Sequence, residues 1–142
     1  MNVLIDTNVI SELRRGRNAD AAVAAWFGTI PSERIFTSVI VLGEIRRGIE
    51  LIARRDKPQA AVLERWYTDM RIRLDDRVLA VDEAVVTVWS KISVPDMLPA
   101  YDGLIAATAL AHGMAIVTRN ALDYRRVGVE VIDPWANKRS PL

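Results

Sequence analysis

The sequence predicts an α/β protein: a parallel sheet of about five strands with helices on both faces. Five short β-rich runs alternate along the chain with segments of helical periodicity, the signature of successive β-α units. One helical segment in the last third, DGLIAATALAHG (102–113), is apolar almost all round, as expected of a helix buried under its neighbours.

The strands are read as NVLI (2–5), RIFT (34–37), RVLAV (77–81), MAIVT (114–118) and VEVI (129–132). A first helix follows Asp6, and ADAAVAAWF (19–27) forms a second. SVIVLGEIRRGIELIARR (38–55) forms a long third helix with Ser38 as its N-cap. In PQAAVLERWYTDMRIRL (58–74), Pro58 suits a first helical turn, and Val62, Trp66, Met70 and Leu74 recur every four residues as a core stripe. Asp82 caps a helix whose Val85, Val88, Trp89 and Ile92 share one face; SVPDMLPAY (93–101), with two prolines, reads as a loop. Gly43 and Gly48 each cost a helix interior about 1 kcal/mol against alanine, which predicts the close approach of another backbone. The four tryptophans are spaced as core or interface residues rather than as a base-stacking ladder, and His112 before Gly113 suits a helix end. The tail, residues 134–142, is expected to be loosely held.

The chain has 142 residues, 51% of them hydrophobic and 26% charged, which fits one globular domain over 1–142. No apolar run approaches the roughly 18 residues of a membrane span, and MNVLIDTN has neither the basic start nor the apolar stretch of a secretory signal. The expected compartment is the cytoplasm. The absence of cysteine excludes disulfides and thiolate zinc sites, and the formal charge of +1 conceals clusters of arginine. These clusters read first as solvated helix faces.

In a parallel sheet, ligands bind beyond the carboxyl ends of the strands, where strand order reverses. Asp6 ends the first strand, Glu44 lies about two turns into the third helix on a face with Val39, Leu42, Ile45 and Ile49, Asp102 opens the apolar helix, and Asp123 follows the fourth strand. If the first and fourth strands are neighbours, all four acids converge. Crowded carboxylates cannot all stay ionised unless protons or a metal neutralise them. With oxygen ligands, no cysteine and one histidine, the ion of choice is magnesium or manganese, held by Asp6 and Asp102. Such a site suits hydrolysis of a phosphodiester by an activated water. Each acid also has a plainer reading: Asp6 as a helix cap, Glu44 as a solvated side chain, Asp102 as a partner of the helix dipole, and Asn120 with Asp123 as a capping box. Arg119, beside Thr118 and Asn120, is the arginine best placed to hold a phosphate.

The blocks VLIDTNVISEL, SVIVLGEIRRGI and YDGLIAATALAHGMAIVTRNALDY together resemble the PIN domain, specifically VapC-type toxins, over nearly the whole chain. The resemblance implies an α/β/α sandwich, a ribonuclease dependent on Mg2+ or Mn2+ that leaves a 5′ phosphate and a 3′ hydroxyl, a homodimer, and inhibition by a cognate antitoxin. It implies Asp6, Glu44, Asp102 and Asp123 as the catalytic acids. Thr7, Asn8, Thr118 and Asn120 match accompanying polar positions, which with Arg119 are the expected substrate-binding set. Tyr124 stands where phenylalanine is common, a departure expected to leave catalysis untouched. The competing readings are a PIN nuclease with a housekeeping role, a non-catalytic scaffold that binds RNA or protein, and a receiver-type phosphoacceptor. The last expects paired acids after the first strand and a lysine after the fifth, whereas Thr7 follows Asp6 and DPW follows the fifth run.

Overall fold

A computed structural model describes residues 1–136 of the chain. The strands are β1 (Val3–Ile5), β2 (Ile35–Ser38), β3 (Val78–Leu79), β4 (Ala115–Val117) and β5 (Val131–Ile132). The helices are α1 (Thr7–Leu13), α2 (Ala21–Gly28), α3 (Val39–Ala53), α4 (Lys57–Leu74), α5 (Glu83–Ile92), α6 (Ala100–Ala111) and α7 (Ala121–Arg126). The strands are shorter than or shifted by one or two residues from the apolar runs, because pairing stops where neighbouring strands end.

All pairings are parallel, and the sheet order is β3-β2-β1-β4-β5. The chain therefore winds outward from β1 to β3, returns, and winds outward again through β4 and β5. The reversal falls between β1 and β4, whose register sets Ile5 opposite Val117, and the Asp6 N–H donates to the Val117 carbonyl at 3.0 Å. Val3, Leu4, Ile116 and Val117 are completely buried, as central strands covered on both faces must be. At one edge, the Arg77 guanidinium ties β3 to β2 by donating to the carbonyls of Ser32, Ile35 and Arg73.

The caps follow the sequence closely. Ser38 Oγ accepts from Val41 N at 3.2 Å, and Asp82 Oδ1 accepts from Val85 N at 3.0 Å. Helix α6 is buried along Gly103 and Ile105–Ala109, and Gly113 after it takes a φ of +65° that favours glycine. No helix among the described residues is long and apolar enough to cross a membrane.

Four expectations need correction. Val62 is 48% exposed, and the buried stripe of α4 runs through Ala60, Leu63 and Leu74 with Trp66 and Met70 beside it. A strict four-residue repeat overshoots each helical turn by about 40°, so it cannot stay on one face for four turns. Val39 is 41% exposed at the start of α3, leaving Leu42, Ile45 and Ile49 as the apolar neighbours of Glu44. Among the described residues, a Cβ at Gly43 or Gly48 would meet nothing within 4 Å; the close approach occurs instead at Gly103, where it would lie 3.1 Å from Trp89 Nε1. Finally, Pro134 and Trp135 are buried, so the tail is anchored that far; residues 137–142 lie outside the described part.

Candidate active site

The site begins with one carboxylate that is almost wholly enclosed. Asp6 is 5% exposed at the carboxyl end of β1, where the chain turns into α1. Its Oδ1 accepts from the Thr7 N–H at 2.8 Å, so the capping role is real. Its Oδ2 accepts from Thr118 Oγ1 at 2.8 Å and from the Tyr124 hydroxyl at 3.2 Å. Three hydrogen bonds offset the cost of burying so polar a group.

Thr118, one residue beyond β4 and fully buried, is fixed by its own inventory. Its hydroxyl accepts from Asn8 Nδ2 at 3.2 Å and from the Asn120 N–H at 3.0 Å, which leaves its single proton for Asp6. Asn8 also accepts from the Arg119 N–H at 3.2 Å, so α1 and the segment after β4 are sewn together across the reversal point. The Arg119 guanidinium lies over the Trp135 ring, 4.7 Å from its centroid. The Asn120 side chain makes no cap for α7.

The other acids arrive from three helices. Glu44 of α3 is half-buried and accepts a short hydrogen bond from the Thr7 hydroxyl. Asp102 sits in the first turn of α6 and Asp123 in the first turn of α7, both half-buried. They share one electrostatic neighbourhood: the Asp102 carboxyl is pushed above its ordinary range by burial first, then by Asp6, Glu44 and Asp123, with the nearby Tyr124 hydroxyl opposing the rise. The Tyr124 phenol is driven far up by its own burial and by Asp6, Asp102 and Glu44, so it remains protonated as a donor. Among the described residues the ion pairs are Arg15 with Glu12 and Arg46 with Glu50 and Glu64, and none of the four site acids takes part in one.

All four predicted acids and the polar residues Thr7, Asn8, Thr118, Arg119 and Asn120 thus gather at the reversal point, the five polar residues forming its frame. Tyr124 is the member that the sequence pattern does not single out. A buried tyrosine needs a partner for its hydroxyl, and that rule applied to the apolar slot after Asp123 is the signal that finds it.

The donor set is all oxygen, which suits a hard divalent cation. Among the described residues, no three acidic or histidine side chains already stand as a cage for a metal ion. An all-oxygen donor set is of the kind that magnesium takes, which binds through one or two carboxylates and keeps several waters.

A five-stranded parallel sheet of this order with acids at its reversal point defines a class that comparison with known proteins makes specific. Residues 3–130 match the PIN domain. The chain is 31% identical over 138 residues to toxin FitB of Neisseria gonorrhoeae, covering 94% of this chain and 98% of that one. It is 30% identical to VapC ribonuclease Y4jK of Sinorhizobium fredii, covering 94% and 97%. It superposes on the structure of FitAB bound to the IR36 DNA fragment with a TM-score of 0.83 at 32% identity, covering 94% and 95%. The chain belongs to the PIN domain family, among its VapC-type members.

Proposed function

We propose that the chain is an endoribonuclease dependent on Mg2+ or Mn2+ that acts as the toxin of a toxin–antitoxin pair. The observation that carries this reading is the convergence of Asp6, Glu44, Asp102 and Asp123, drawn from both ends of the sequence, with no arginine or lysine paired to any of them among the described residues. A protein gains nothing in stability from such crowding, so its use lies in holding a cation.

Asp6 and Asp102 are the residues that would hold the metal, with Glu44 and Asp123 completing the negative pocket. The bound cation supplies Lewis acidity toward a phosphodiester oxygen and toward the attacking water. Thr7 fixes Glu44, Thr118 and Tyr124 fix Asp6, and Asn8 fixes the turn that carries Arg119. Arg119, exposed and braced by Trp135, is suited to grip a phosphate flanking the scissile bond. The names of its relatives, a toxin and a VapC ribonuclease, support RNA as the substrate, and the FitAB assembly supports a cognate antitoxin as a protein partner. A second copy of the chain in a homodimer, and action in the cytoplasm, belong to the same reading.

The test is cleavage of RNA by the purified protein with Mn2+, with Mg2+ and with chelator. Cleavage that appears with either ion and stops with chelator supports the reading. No cleavage with either ion, or undiminished cleavage with chelator, overturns it. Expression of this chain should halt growth, and coexpression of a cognate antitoxin should restore it; growth unaffected by the chain leaves a PIN nuclease without a toxin's role.

A further inference from the structure

The hydrogen bonds at Asp6 are distributed unequally. Two donors, the hydroxyls of Thr118 and Tyr124, fall on Oδ2, and one, the Thr7 N–H, falls on Oδ1. A carboxylate oxygen offers about two acceptor positions. By that count Oδ2 is full and Oδ1 keeps one position open.

Tyr124 is fully buried and its ring is locked in the core cluster, so its hydroxyl cannot be turned elsewhere at small cost. That hydroxyl donates to Oδ2 of Asp6 at 3.2 Å, one of the two acids assigned to the cation. A phenylalanine would fill the same space and donate nothing.

We propose that Tyr124 is a positioning residue for the metal site: with Thr118 it saturates Oδ2 of Asp6, fixes the rotation of that carboxylate and leaves Oδ1 as the oxygen offered to the cation. The role rests on the reading of Asp6 as a metal ligand. Groups that orient a metal's ligands without touching it commonly govern affinity by about tenfold or more.

The experiment compares wild type with Tyr124→Phe by titration calorimetry with Mn2+ and by thermal unfolding without metal. The expected result is Mn2+ affinity weakened about tenfold in the variant. Unchanged affinity beside a lowered melting point would make the hydroxyl a structural hydrogen bond only and overturn the proposal. Absence of Mn2+ binding by wild type would instead overturn the metal-site reading itself, so the two failures are distinct. A second measurement covers a variant that folds poorly: Mn2+ added to wild type should perturb the tyrosine ultraviolet difference spectrum, because a cation at Oδ1 alters the carboxylate that Tyr124 faces. Tyr67→Phe and Tyr101→Phe should retain that signal, and a flat spectrum where calorimetry records binding would overturn the role.

Discussion

Helix α3 carries two charged side chains two residues apart with opposite fates. Two such positions on a helix point about 200° apart, so Glu44 faces the reversal point of the sheet while Arg46 faces α4. Arg46 donates to Glu64 and Glu50 and lies 5.1 Å from the centroid of the Tyr67 ring. The hydrogen bond from Arg46 holds the solvated Glu64 carboxyl below its ordinary range. Charge there is matched and solvated, and contributes little to stability. At the other face, acids are gathered with hydroxyl and amide donors and, among the described residues, form no ion pair with arginine or lysine, and Asp102 moves the opposite way. Carboxylates matched by arginine mark scaffold, and carboxylates left to one another mark the site.

The strongest attack on that contrast is Asp102→Asn. Removing this acid from the proposed metal site should lower RNA cleavage about a thousandfold, since a metal's charge stabilisation is worth several kcal/mol, yet the metal-free protein should melt at a higher temperature because repulsion is relieved. Cleavage close to wild type would remove Asp102 from the ligand set. Asp6→Asn should abolish cleavage too but lower the melting point, because an amide must set its NH2 against the donors now served by Oδ1 or Oδ2.

Arg119→Ala should raise KM about tenfold with a smaller change in kcat, the loss of one charge-assisted phosphate contact; a fall confined to kcat would contradict a binding role. Gly103→Ala drives a methyl group to within 3.1 Å of Trp89 Nε1 and should cost about 1–3 kcal/mol, read as a lower melting point. An unchanged melting point would mean that α5 shifts freely on α6.

The raised pKa of Asp102 sets the sign of a pH effect. The folded state binds this proton more tightly than the unfolded one, so the contribution to metal-free stability is full below the ordinary aspartate range and is lost as pH rises through the raised value. The melting-temperature difference between Asp102→Asn and wild type should therefore widen as pH rises and shrink when Mn2+ is added. The smallest effect belongs to the matched face: Glu64→Gln should leave cleavage unchanged and barely move the melting point.

Much of this is legible in the sequence because it depends on local rules. Ser38, Asp82 and the apolar helix α6 lie where caps and periodicity place them. The convergence of the acids needs one further assumption, that β1 and β4 are neighbours, and parallel strand order supplies it. What escapes are contacts between distant elements. Nothing near Gly103 in sequence announces that Trp89 will lie across it, and at Gly43 and Gly48, which look like packing glycines, an added Cβ would meet no described residue within 4 Å. Tyr124 misleads because its ring obeys the apolar pattern while its hydroxyl obeys the site.

The order of the strands also bears on synthesis. A nascent chain still short of Asp102 carries Asp6 and Glu44 but lacks β4, the strand that must slot in beside β1. Until the segment from Asp102 through Asp123 has been made, the ribosome holds a fragment with two of the four acids and no β4 beside β1, so the site cannot yet assemble.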